Sequence, residues 1–250
     1  MCIRDRVRRY LRFLGISKGL TAMLFVKLLP RVHKLDCTLP LPVPQSSTWV
    51  RARCGTTDQC AYSEVFLSSS YRVDPAIAPG VVVDAGANVG YASVLFAETW
   101  PGARIIALEP DESNYQLLVR NTRSYGNVEP VKAALWGEPV ALRIENPQDP
   151  KWMLRVTSTE GIPEFPTLTV SDILIRAKAS HIDILKLDIE GAEYNLFTRD
   201  PRCLDHVSLL MVELHERFAR GATRAFHDAL RSHTYEITEM GTTVHVRFAE

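Results

Sequence analysis

Apolar residues in this chain come in short runs separated by stretches with helical spacing. Val81 to Asp84 opens on three β-branched residues after the Pro79-Gly80 break, the mark of a buried strand. Tyr91 to Thr99 has helical spacing and ends at "WPG", residues 100 to 102. "ARIIALEP" predicts a second strand, and Glu112 to Arg123 a helix with Tyr115, Leu118 and Val119 on its apolar face. "VEPVKAALW" is a third strand, and "VALRIEN" a fourth lying outside the parallel set. Pro147 to Pro166 is rich in proline and polar residues and predicts a loop excursion. Beyond it "TLTVSDILIRA" starts a helix near Ser171 or Asp172, "HIDILKLDIEG" is a strong strand and "AEYNLF" opens a helix. "VSLLMVELH" is a strand, Thr223 to Ser232 a helix, and "YEITEMGTTVHVRF" a hairpin around Gly241.

Strands apolar along their whole length, alternating with helices, call for a mostly parallel sheet covered on both faces. The expected fold is therefore α/β and doubly wound, with a C-terminal antiparallel hairpin. "LPLPVPQSS", with prolines at 40, 42 and 44, cannot be helical, so residues 39–64 read as a proline-rich linker and lead-in. The main domain is expected over 65–250, behind a basic segment at 1–38.

Charge refines this division. Residues 1–34 hold nine Lys or Arg against Asp5 alone, which leaves 20 basic and 28 acidic side chains in the body. An acidic body of net −8 excludes a general nucleic-acid binder. The basic segment suits a helix packed on the body; peripheral contact with an anionic membrane is the alternative. Its apolar run "GLTAMLFVKLLP" is broken by Lys27 and is too short to span a bilayer. "MCIRDR" matches one reading frame of a common sequencing adapter, so residues 1–6 read as an artefact that leaves the natural N-terminus undefined. The five cysteines form no C-x-x-C pair. A Cys54–Cys60 bridge is conceivable, but free thiols in a reducing, cytoplasmic compartment are the favoured reading.

The chemistry lies at the strand ends, where ligands sit in doubly wound sheets. "VVVDAGANVG" has Gly86 and Gly90 but Asn88 where a dinucleotide fingerprint needs its central glycine, which argues against NAD. Asp84 at the strand end would repel a pyrophosphate and suits a ligand with ammonium and sulfonium charges, such as S-adenosylmethionine. Gly86 would let the backbone approach that ligand, Asn88 would bond its polar groups, and Gly90 would relieve crowding at the helix start. Glu109, nineteen residues past Gly90, stands where an acid reaches a ribose diol.

The segments "VVVDAGANVGYASVLFA", "IIALEPDESNYQLLVRN", "LTVSDIL" and "IDILKLDIEGAEYNLF", followed by "VELH", occur in one order that resembles the FkbM family of S-adenosylmethionine-dependent methyltransferases. The resemblance covers roughly 65–250. It implies a class I, Rossmann-like methyltransferase fold and methylation of a hydroxyl on a sugar, polyketide or other small molecule. It assigns the cofactor loop to Asp84, Gly86, Asn88 and Gly90, the ribose acid to Glu109, and the family's "DIEGAE" element to Asp188, Glu190, Gly191 and Glu193. Ala85 departs from the usual valine or isoleucine.

An alcohol of high pKa needs somewhere to leave its proton. Asp188, Glu190, Glu213 and His215 follow two strands expected to be neighbours, and form the candidate catalytic group. Either Asp188 or His215 is the general base, or the carboxylates hold Mg2+ that acidifies the hydroxyl. Competing structural readings are a buried ion pair of Lys186 with Asp188, a satisfied core histidine at 215, and a helix-start charge at Glu193. A catalytically silent nucleotide-binding or membrane-associated scaffold is the alternative from another class.

Overall fold

The computed structural model describes residues 37–72, 74, 76–144, 156–158 and 165–249. The expectations for the basic leader, for residues 1–6 and for most of the loop excursion lie outside them.

The strand β3 (Val81–Ala85) is central to a seven-stranded sheet, because its apolar residues are buried on both faces. Val83 and Ala85 pack towards one helical layer, while Val82 packs towards the other with Ala92, Phe96 and Trp100. The remaining strands are β4 (Arg104–Leu108), β5 (Val128–Val131), β10 (Ile182–Leu187), β11 (Val207–Val212), β12 (Tyr235–Met240) and β13 (Thr243–Phe248), in the order β12-β13-β11-β10-β3-β4-β5. The chain runs outwards from β3 to β4 and β5, then crosses back to β10 on the other side of β3. That reversal creates the crevice in which doubly wound proteins bind ligands. Only β13 runs against its neighbours, so the sheet is mostly parallel with the antiparallel hairpin at its end. Short pairs β6 (Ala134–Leu135) with β9 (Thr167–Leu168), and β7 (Leu142–Ile144) with β8 (Val156–Ser158), stand outside the main sheet.

The α-helices among the described residues are α1 (Asp58–Leu67), α2 (Tyr91–Thr99), α3 (Glu112–Thr122), α4 (Val170–Ala177), α5 (Glu193–Arg199) and α6 (Ala222–Leu230). Their starts are encoded locally. Asp111 caps α3 by accepting from the Asn114 amide, and Thr169 with Asp172 forms a capping box on α4, two residues ahead of the expected start.

The proline-rich stretch is a strand and not a linker. β1 (Thr38–Pro42) pairs antiparallel with β2 (Trp49–Arg53), setting Pro40 opposite Arg51 and Pro42 opposite Trp49. Alternate spacing puts every missing N–H on the same outer edge, where none is needed. Leu41, Val50 and Ala52 are buried together with Tyr62, Val89 and Tyr91, so the hairpin belongs to the domain core. The Arg51 carbonyl accepts from the Tyr91 hydroxyl at 2.9 Å, and Arg53 makes paired bonds to Asp58.

The cysteines also differ from expectation. Cys37 and Cys54 form a disulfide across the open end of this hairpin, with Cα atoms 5.4 Å apart, and Cys60 takes no part in it. Strand pairing brings the two together, since the Cys54 amide already bonds the Cys37 carbonyl at 2.8 Å. The free-thiol argument for a reducing compartment therefore loses its premise. No described helix is long and apolar enough to cross a membrane.

Candidate functional site

The loop after β3 is shaped by backbone constraints. Gly86 has φ +76°, and a Cβ there would lie 1.8 Å from the Asp188 carbonyl oxygen. Glycine is thus what lets the β3 and β10 ends close on each other. Asn88 also lies in the left-handed region (φ 50°), where asparagine is among the most tolerant side chains. At Gly90 an added Cβ would meet Leu118 of α3 at 2.7 Å. The crowding that Gly90 relieves comes from a neighbouring helix, and this residue lines neither cavity described below.

Asp84 departs from its expected role. It is fully buried, with Oδ2 accepting from Ser93 at 2.6 Å and Oδ1 only 2.8 Å from Lys186 Nζ. Register sets Lys186 directly beside Asp84 on the same sheet face. The carboxylate is therefore neutralised inside the protein, and it lines neither cavity described below. Lys186 also donates to the Gly86 carbonyl at 2.9 Å, which fixes the loop. Burial opposes the ammonium charge, but Asp84 and then Asp188 outweigh it and raise the Lys186 pKa.

Glu109 does face a cavity, bounded by Gly86, Asn88, Leu135, Asp188 and Ile189. Its carboxylate accepts from the amides of Asn88 (2.8 Å) and Asp111 (2.9 Å). Burial dominates over these bonds and pushes its pKa up to about 7. Oδ1 of Asn88 is buried with no hydrogen-bond partner among the described residues, an acceptor left open towards a ligand.

A second cavity, of about 350 Å3, adjoins the first, and both are lined by Gly86, Asn88, Asp188 and Glu190. The four expected catalytic residues meet here. His215 is buried; its Nε2 lies 3.8 Å from Asp188, 3.5 Å from Glu190 and 3.9 Å from Glu213. Its Nδ1 is 2.9 Å from Oε1 of Glu193.

Glu193 does more than balance a helix start. Fully buried, it accepts from the amides of Ile189 and Gly191 as well as facing His215, so it holds both the loop and the imidazole. Its place in "DIEGAE" gave the only sequence signal for this. Burial works against a charged His215, yet the Glu193 bond and the surrounding carboxylates lift its pKa to about 9. Burial raises Glu190 to about 8; His215 lowers it in part and nearby acids add to the rise. Burial, with the charges of Asp188 and Glu64, raises Glu213 to about 7. Near neutrality His215 is therefore an imidazolium and Glu190 carries a proton, while Glu213 stands close to its midpoint.

Sequence reasoning missed Tyr71. Its hydroxyl donates to Asp188 Oδ2 at 3.3 Å, and its ring lies 5.5 Å from Lys186 Nζ. Strand β13 places it, since Thr243 Oγ1 donates to the Ser70 carbonyl at 2.6 Å and His245 Nε2 lies 2.8 Å from the same oxygen. Nothing in "SSSYR" signals that contact.

The profile of the FkbM methyltransferase domain matches residues 84–237, from the acid that ends β3 into β12. The chain belongs to the FkbM methyltransferase family. Hexuronic acid methyltransferase AglP of Haloferax volcanii is 24% identical over 136 residues, 54% of this FkbM chain and 56% of that protein. Methyltransferase sdnD of Sordaria araneosa is 34% identical over 79 residues, 32% and 30% of the two chains. The antimetabolite synthetase AmbE of Pseudomonas aeruginosa is 25% identical over 223 residues, 71% of this chain but 10% of AmbE. The FkbM chain thus spans a tenth of AmbE, three tenths of sdnD and little over half of AglP. Among solved structures, a methyltransferase from Geobacter sulfurreducens aligns over 72% of this chain and 75% of its own, with TM-score 0.40 and 20% identity.

Proposed function

We propose that this FkbM protein transfers a methyl group from S-adenosylmethionine to a hydroxyl oxygen of a small-molecule or glycan acceptor. The observation that carries this reading is the shared wall of the two cavities, with Asp188 at the junction. One cavity offers what an adenosyl ligand requires: a close backbone approach at Gly86, an open acceptor on Asn88 and a carboxylate for a diol at Glu109. The cofactor supplies an electrophilic methyl on a sulfonium. The protein has to orient the acceptor hydroxyl in line with it and receive the hydroxyl proton. Asp188, steadied by Tyr71, is the proton acceptor; cationic His215, anchored by Glu193, holds the acid cluster in place.

Calorimetry with S-adenosylhomocysteine tests the cofactor half. Wild type is expected to bind and Glu109→Ala to bind at least about tenfold more weakly, the loss of a charged hydrogen-bonding partner. No binding by wild type would remove the assignment.

A second reading gives the acid cluster a divalent cation. Donor atoms of Asp188, Glu213 and His215 lie within 4.8 Å of one another, and the Glu193 contact at Nδ1 leaves Nε2 for a metal. Lys186 Nζ, 3.9 Å from Asp188, weighs against it. Methyl transfer from labelled cofactor, run with Mg2+ and with chelator, separates the readings: equal rates support the metal-free base.

A further inference from the structure

The second cavity has walls from outside the residues that match the family profile. Thr57, Cys60 and Glu64 come from α1 and its start, and Tyr71 from the segment behind it. Thr242, in the β12–β13 turn, ties this roof to the floor by donating to Glu64 Oε1 at 2.6 Å, with Glu213 Oε2 3.4 Å away.

Charge then indicates what the cavity can hold. Glu64, Asp188, Glu190 and Glu213 all line it. Of the three basic side chains there, Lys186 is committed to Asp84, His215 is held by Glu193, and Arg217 lies 4.4 Å from the centre of the Phe218 ring. Lys186 with Asp84, and His215 with Glu193, cancel as pairs, which leaves, among the described residues, four acidic side chains, with Glu190 protonated near neutrality, facing one guanidinium. Buried Oε2 of Glu190 has no hydrogen-bond partner among the described residues. A volume of about 350 Å3 admits a ligand the size of a monosaccharide. A carboxylate-bearing acceptor would be repelled, and a cationic one attracted.

We propose that α1 and the β12–β13 turn build the acceptor site, that its acceptor is a hydroxyl compound carrying a protonated amine, as in an amino sugar, and that Glu64 selects the amine. This rests on the methyl-transfer reading above. The amine lies at the Glu64 wall, away from the Gly86 loop, so the acceptor spans the cavity with a hydroxyl towards Asp188. The transfer balances simply: a carbon–oxygen bond forms as the carbon–sulfur bond breaks, and the hydroxyl proton passes to Asp188.

The test uses the full chain loaded with S-adenosylhomocysteine and three probes, the methyl glycosides of glucosamine, glucose and glucuronic acid, with affinities measured by saturation-transfer NMR. The glucosaminide is expected to bind at least about fivefold more tightly than the glucoside, the scale of one partly buried ion pair, with the glucuronide weakest. Glu64→Gln, which can still accept from Thr242, is expected to abolish the amine preference, and Glu64→Lys to favour the glucuronide, with unchanged S-adenosylhomocysteine affinity in both. A wild type that prefers the glucuronide or the glucoside, that binds none of the three, or whose preference survives in Glu64→Gln overturns the proposal. Failure of the wild type to load S-adenosylhomocysteine is a separate result, and strikes the methyl-transfer reading itself.

Discussion

Lys186 and Asp84 are register partners on adjacent parallel strands, their charged atoms 2.8 Å apart and both side chains almost wholly buried. Removing one member strands the other charge in the interior. Lys186→Met or Asp84→Asn alone should each cost about 3–5 kcal/mol, whereas the double variant should recover much of the loss. Urea denaturation of the four proteins measures this coupling; additive losses would show that the pair acts separately.

Gly86→Ala should be among the most damaging single changes in the loop. It places a Cβ 1.8 Å from the Asp188 carbonyl and imposes an L side chain at φ +76°. The strain alone costs about 1–3 kcal/mol, and relieving the clash separates the β3 and β10 ends. Thermal melts should show destabilisation, and calorimetry should show loss of S-adenosylhomocysteine binding even in the fraction that folds.

Four site groups make stability fall as pH rises. Glu109, Glu190 and Glu213 titrate at about 7, 8 and 7 in the folded protein against an ordinary 4.5, and His215 at about 9 against 6.5. In each case the folded state holds its proton more tightly than the unfolded chain. The acids' contribution is fully present below pH 4.5 and is lost as pH rises through 7 to 8; that of His215 is present below 6.5 and lost through 9. The urea midpoint of the ligand-free protein should therefore decline from pH 6 to pH 9. A level or rising midpoint would contradict this charge arrangement.

Glu193→Gln should lower the His215 pKa from about 9 towards its ordinary 6.5, because the carboxylate charge at Nδ1 is lost while the amide keeps the shape. An NMR titration of the imidazole protons reports it directly. An unchanged midpoint would mean that the other carboxylates alone sustain the imidazolium.

Reducing the Cys37–Cys54 bridge should destabilise the protein by about 3 kcal/mol, the loop-closure contribution for a crosslink of this short span. Denaturation with and without reductant, with the Cys37→Ser/Cys54→Ser double variant as control, checks the size. Equal midpoints would show that the β1–β2 pairing suffices.

Much of this was legible in the chain. Near-continuous apolar runs set the parallel strands, helical spacing set α2 and α3 almost to the residue, and Gly241 marked the final turn. Strand ends also located Asp188, Glu190, Glu213 and His215, since residues following adjacent parallel strands must share one edge of the sheet. The prolines misled because alternation forbids a helix but not an edge strand, and only a pairing partner distinguishes a strand from a linker. The cysteines misled for the same reason: Cys37 and Cys54 become neighbours only through that hairpin.

Asp84 shows where sequence stops. The acid at the end of β3 was visible, but whether it met a ligand or a lysine depended on Lys186 arriving beside it from β10, about a hundred residues later. Tyr71 and Glu64 carried no signal at all, since they reach the site through contacts with the C-terminal hairpin. Periodicity and turn chemistry are local properties, and they determined the elements, the glycine loop and the acids at the strand ends. Which charges cancel, which proton affinities shift and what roofs the second cavity are set by through-space distance and burial, which only the tertiary structure decided.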